Sequence, residues 1–136
     1  MDAAVIDTDI LSEVLKKKDQ HVLAHARQYL AEHQRLAFSA IGAYEIMRGM
    51  LAKKATRQLK GFLQVVATSD VFPVEMSVLM SAADLWADAR TNGHPCDDTD
   101  LIIAATALMH GRTLVTGNTA HFSWIPGLRL EDWRQA

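Results

Sequence analysis

Residues 97–118 read DDTDLIIAATALMHGRTLVTGN. From Asp100 to His110 this stretch is apolar nearly all round, with Leu101, Ile102, Ile103, Ala104, Ala105, Ala107, Leu108 and Met109 leaving no polar face. A helix of that composition belongs in the centre of a packed structure. Gly111 stops it, and Thr113-Leu114-Val115-Thr116 follows at once as a short buried strand. A central helix feeding a buried strand is a unit of an α/β fold with a largely parallel sheet.

The same alternation runs outward from this unit. Ala3–Ile6, Arg35–Ser39, Val71–Val74 and Leu128–Leu130 read as further strands. Pro73 suggests an edge position for the third of these, because proline donates no ladder hydrogen bond. Helical spacing of apolar residues predicts helices over 9–18, 21–33, 41–54, 57–67 and 77–91. Asn92-Gly93 ends the last of them with C-cap chemistry, and residues 94–99 form a polar loop.

Composition narrows the class. The chain has 136 residues, 49% of them hydrophobic and 22% charged, enough for one well-packed domain. No apolar run approaches the roughly 20 residues of a membrane span. The N-terminal MDAAVIDTD has no basic region of the secretory type. The lone Cys96 permits no intrachain disulfide, so a cytoplasmic location is expected. The net charge of −2 hides an asymmetry: residues 1–60 hold ten Lys/Arg against seven Asp/Glu, and residues 61–136 hold four against nine. Lys16, Lys17, Lys18, Lys53, Lys54, Arg57 and Lys60 suit either a nucleic-acid patch or solvated helix faces.

Ligands of open parallel sheets bind at the carboxyl ends of the strands. Asp7, Thr8 and Asp9 follow the first strand, and Gly117 and Asn118 follow Thr116. Asp98, Thr99 and Asp100 head the central helix, and Glu45 lies one turn into the helix after the second strand. Carboxylates brought together raise each other's pKa unless a cation neutralises them. A hard cation such as Mg2+ takes oxygen ligands and activates water for phosphodiester cleavage. Each residue also has a local reading. Asp7, Asp9 and Asp98 suit helix capping, Glu45 can pair with Arg48, and Asn118 suits a turn beside Gly117. Their common end of the sheet favours the shared reading.

The motifs carry a resemblance. VIDTDILSE resembles the opening motif of PIN domains, above all of VapC-type toxins, in which a strand ends in Asp-Thr-Asn. FSAIGAYEIMRGM is similar to their second motif, NGHPCDDTDLIIAATAL to their third and LVTGNTAHF to their fourth. The segment from Gly127 to Trp133 is also typical. The resemblance covers essentially the whole chain, in order. It implies a three-layer α/β/α PIN fold with a mostly parallel sheet, as a single domain over residues 1–136. It further implies an endoribonuclease dependent on Mg2+, with Mn2+ as a substitute, acting as the toxin of a toxin–antitoxin pair. By position, Asp7, Glu45, Asp100 and Asn118 match the catalytic set. Asp7, Asp98, Asp100 and Glu45 match the metal ligands. The implied partners are an antitoxin, an RNA substrate and a second copy of the chain, with DNA reached only through the antitoxin. Two positions depart from the pattern: Asp9 stands where Asn is usual, and Asn118 where many relatives carry Asp.

Two other functions compete. Asp-x-Asp at a strand end also occurs in haloacid-dehalogenase-like phosphatases, but those need a supporting Lys late in the chain, and none follows Lys60. A catalytically silent binding module would have no need of a complete acid set. Other features read as ordinary. His21 and His25 lack a third ligand partner, Cys96 is flanked by acids that oppose a thiolate, and Trp86, Trp124 and Trp133 suit either base stacking or packing. Tyr44, Ile46, Met47, Met50 and Leu51 give the third helix a broad apolar surface, suited to the core or to a partner.

Overall fold

The computed structural model describes all of residues 1–136. In chain order its elements are β1 (Ala4–Ile6), α1 (Thr8–Lys16), α2 (Gln20–His33), β2 (Ala37–Ser39), α3 (Ala40–Ala52), α4 (Thr56–Ala67), β3 (Asp70–Phe72), α5 (Met76–Asn92), α6 (Asp98–Met109), β4 (Thr113–Val115), α7 (Thr119–Phe122) and β5 (Leu130–Glu131). The strands pair in parallel throughout. β4 lies between β1 and β5, with Val5 opposite Leu114 and Leu114 opposite Leu130. β2 pairs with β3, Phe38 opposite Val71. The two ladders meet where β1 runs beside β2.

Alternation along the strands divides the interior in two. Ala4, Ile6, Phe38 and Val115 face a core built with α1, α2, α3 and α4, including Ile10, Leu11, Tyr29, Ile46 and Phe62. Val5 and Leu114 face the opposite core, built with α5 and α6, including Leu85, Leu101, Ile103 and Phe122. The sheet is therefore the middle of three layers, as expected. α6 buries Leu101, Ile103, Ala104, Ala105, Thr106 and Ala107, and its small side chains let α5 pack closely along it.

Several boundaries differ from the sequence reading, each for a local reason. α1 starts at Thr8 because Asp7 caps it, accepting a hydrogen bond from the Thr8 amide. α6 starts at Asp98, two residues earlier than expected. β3 stops at Phe72, so Pro73 falls outside the ladder. α7 is a single turn, too short to leave a periodicity in the sequence.

Tyr29 ties α2 to the sheet. Its ring is buried and its hydroxyl accepts the Ala4 amide at 3.0 Å. Tyr29→Phe leaves that N–H buried and without its partner, which costs about 1–3 kcal/mol. Urea denaturation should show a lowered midpoint with an unchanged slope.

Candidate active site

The carboxyl ends of β1 and β4 place their following residues side by side. Asp7 leaves β1 in extended conformation, and its amide donates to the Val115 carbonyl at 2.8 Å, holding it against β4. Its side chain is 7% exposed. Oδ1 accepts the Thr8 amide at 2.8 Å, and Oδ2 accepts the Thr116 hydroxyl at 2.8 Å. Thr116 is itself buried, and its Oγ1 also accepts the Asn118 amide at 3.1 Å. Two strand ends are thus cross-linked through one carboxylate.

Burial is the first cause of an Asp7 pKa pushed up to about 6, and the nearby charge of Asp9 is the second. The hydrogen bonds from Thr116 and Thr8 pull the other way, and Asp100 adds a further push upward. Asp100, in the first turn of α6 and half-buried, is also raised, chiefly by burial, against hydrogen bonding and charge from His121, with Asp97 and Asp9 adding to the rise. Asp7, Asp9 and Asp100 therefore share one electrostatic field.

Around these acids lie three supporting contacts. Thr8 donates its hydroxyl to Glu45 Oε1 at 2.7 Å, which brings α3 to the mouth of the site. Glu45 Oε2 lies 3.7 Å from the exposed Arg48, a long and partly solvated pair of little energetic weight. Asp9 reaches across to the loop after β4, where Oδ2 accepts the Gly117 amide at 3.0 Å. A side chain at 117 would meet the Arg134 guanidinium and stand 2.7 Å from Asp9 Oδ2, so both of these flexible side-chain ends would have to move aside. Arg134 donates to the Gly117 carbonyl from the C-terminal segment. His121 on α7 places Nε2 at 3.1 Å from Asp100 Oδ2 and 3.5 Å from Cys96 Sγ.

The sequence candidates take different positions. Asp7 and Asp100 face one another's field, and Glu45 joins them through Thr8. Asn118 is exposed, and its side chain makes no capping bond to α7. Asp98 lines a groove with Leu79, Trp86 and Ile102, between α5 and α6. Helix geometry accounts for this. Each residue turns by about 100°, so Asp98 and Asp100 point to opposite sides, whereas Asp97, three residues before Asp100, shares its side. Asp97 is the neighbour whose charge acts on Asp100. Thr116, His121, Arg134 and the bridging role of Asp9 went unread in the sequence. His21 and His25 make no metal pair: His25 bonds the Gln135 carbonyl and stacks on Trp133. Cys96 is raised by burial and by Asp100 and Asp97, as its acidic neighbours led us to expect.

The acids at this mouth offer oxygen donors and include a buried carboxylate raised first by burial and then by Asp9, which fits a hard divalent cation. No three His, Cys, Asp or Glu side chains form a ready-made cage. One or two carboxylates, completed by water and phosphate, are the usual protein contribution to Mg2+.

A buried acid with a raised pKa lowers stability once it must ionise. Asp7 imposes no penalty below its unfolded value of 3.8, a growing one up to about 6, and its full effect above. In chelator, Asp7→Asn should be more stable than the parent at pH 8, by at most roughly 3 kcal/mol. That gain should shrink to nothing as the pH falls to 4. Urea midpoints measured across this range check it.

The comparisons with known proteins agree with the fold. The sequence model of the PIN domain family matches residues 4–126. A VapC ribonuclease from Sinorhizobium fredii is 33% identical over 126 residues, 87% of this chain and 89% of its own. The tRNA(fMet)-specific endonuclease VapC of Salmonella typhimurium is 25% identical over 95% of this chain and 96% of its own. Among solved structures, DNA-bound VapBC from Salmonella typhimurium superposes with a TM-score of 0.85 at 25% identity, covering 98% of this chain and 99% of that one. VapBC2 from Rickettsia felis, bound to a promoter DNA fragment, gives 0.84 at 24% identity over 96% and 98%. The chain belongs to the PIN domain family, in its VapC branch.

Proposed function

We propose that this protein is an endoribonuclease that hydrolyses RNA phosphodiester bonds with a divalent cation, Mg2+ or Mn2+, and serves as the toxin of a toxin–antitoxin pair. The observation that carries the reading is the buried Asp7 carboxylate, raised to about 6 among like charges. A fold tolerates that arrangement at neutral pH where a cation completes it. The ribonuclease names of the VapC relatives support the substrate class. The VapBC complexes among the structural neighbours support an antitoxin partner. Membership of the PIN domain family removes the phosphatase alternative.

In this reading Asp7 and Asp100 hold the cation, with Glu45 beside them and Asp98 further out, across α6. Bound there, a divalent ion supplies Lewis acidity that activates water and neutralises phosphate charge. The chain's own residues do the rest. Thr116 and the Thr8 amide keep Asp7 oriented. Thr8 holds Glu45 by Oε1, and Oε2, drawn only loosely by Arg48 at 3.7 Å, takes a proton from the attacking water. Asn118, exposed and uncommitted, donates its amide to a phosphate oxygen. The attacking oxygen forms a bond to phosphorus, the bond to the ribose oxygen breaks, and the proton ends on that leaving oxygen.

Asp100→Asn should lower RNA cleavage by about a hundredfold or more. It should also lessen the rise in melting temperature that millimolar Mg2+ or Mn2+ gives the parent, because a ligand of the folded state alone stabilises it by mass action. Cleavage at the parental rate by this variant would remove Asp100 from the site. Cleavage undiminished in EDTA would remove the cation.

The partners follow the same charges. An antitoxin segment carrying a basic or aromatic side chain across the acidic mouth supplies the missing cation. Tyr44 and Leu51 on α3 are 50% and 63% exposed, and Met76 and Met80 on α5 are 73% and 64% exposed, apolar positions that a second copy could cover. Light scattering should give about twice 15.1 kDa. Co-expression with the neighbouring reading frame should give a stable complex that does not cleave. A monomer at all concentrations would refute the dimer, and a fully active toxin tolerated at high expression without any partner would count against the antitoxin.

A further inference from the structure

Beside the acids lies an aromatic pair that the hydrolytic chemistry leaves unused. His94 lies flat on Trp124, with ring centroids 4.9 Å apart and planes 7° from parallel. Trp124 is held in place from two directions. Its indole N–H donates to the His121 carbonyl at 3.0 Å, and its ring packs against the core formed by α5 and α6. One face of the indole therefore meets the protein and the other meets His94. Both residues are partly exposed, and the His94 imidazole makes no hydrogen bond.

The position of this stack gives it meaning. His121, whose carbonyl anchors Trp124, places its own imidazole 3.1 Å from Asp100 Oδ2. The aromatic pair is thus linked through His121 to Asp100, the acid that the proposed function assigns to the cation. Single-stranded RNA presents phosphates and flat bases in alternation, and a flat face set beside a phosphate site receives a base without reading its edge.

We propose that His94, backed by Trp124, forms a stacking subsite for a nucleobase of single-stranded RNA next to the phosphate being cleaved. The inference rests on the ribonuclease reading for its substrate, and its test separates the two. RNA is favoured over a peptide because the pair adjoins the acid mouth, where a cation-bridged phosphate brings its own base alongside.

The test uses a short single-stranded RNA with Ca2+ in place of Mg2+, so that a hard cation still bridges the phosphate and binding is read with little cleavage. Trp86, the other exposed indole, stacks with Arg90 on α5 and is replaced by Phe, while Trp133 is fully buried. RNA should then quench the fluorescence, and the quench should vanish in Trp124→Phe. His94→Ala should weaken binding by about tenfold. A chain of abasic ribose phosphates should bind the parent and His94→Ala equally. In cleavage with cation, His94→Ala should raise KM with little change in kcat. If His94→Ala binds RNA as tightly as the parent, or loses the same factor on the abasic chain, the subsite is wrong. The subsite is equally wrong if only capture of the protein partner weakens, since the pair is then a protein contact. If no RNA is cut and the base-dependent quench persists, the stacking subsite stands and the ribonuclease reading fails.

Discussion

The structure turns on one buried negative charge. Asp7 is where β1 ends, where α1 is capped and where β4 is tied in through Thr116. A carboxylate at that depth is costly without compensation, and two hydroxyl or amide donors supply only part of it. The remainder is unbalanced, as its raised pKa records. The fold thus holds an acid in a state that a cation would improve. Its parallel strands are what make this possible. They deliver separate loops to a single edge, so groups more than a hundred residues apart, such as Asp7 and Thr116, meet without a covalent constraint.

The supporting contacts serve the same charge. Asp9 brings a further carboxylate close, yet it also fixes the loop after β4 by taking the Gly117 amide. Asp9 is itself an acid, and Arg134 lies close enough for Asp9 to be among the charges that raise its pKa. The extra negative charge is therefore partly answered from the C-terminal segment. That segment is anchored by Trp133, which is fully buried between Tyr29 and His25. The C-terminal residues are thus coupled to the site by packing and by charge.

Much of this was legible in the sequence, and the failures have physical causes. The all-round apolarity of residues 101–109 identified α6 as central, and the acids after β1 and in α6 pointed to one end of the sheet. The reading could not settle which acids of residues 97–100 face inward. That depends on the phase of the helix, and a start two residues earlier turns Asp98 and Asp100 to opposite sides. Nor could it find the Asp9–Gly117 bridge, the His121–Asp100 contact or the His94–Trp124 stack. Each joins segments distant in the chain through side-chain geometry that local patterns do not encode. Trp124 suited either stacking or packing, His94 fell within a polar loop, and only the fold brings them face to face.

The central claim is that Asp7 is an acid destabilised by its surroundings and relieved by a cation. Carboxyl carbon NMR of the metal-free protein, with the Asp7 resonance assigned by its loss in Asp7→Asn, follows this group directly. The account predicts a titration midpoint of about 6, moving downward when Mg2+ is added. A midpoint near the ordinary 3.8, unmoved by Mg2+, would contradict it.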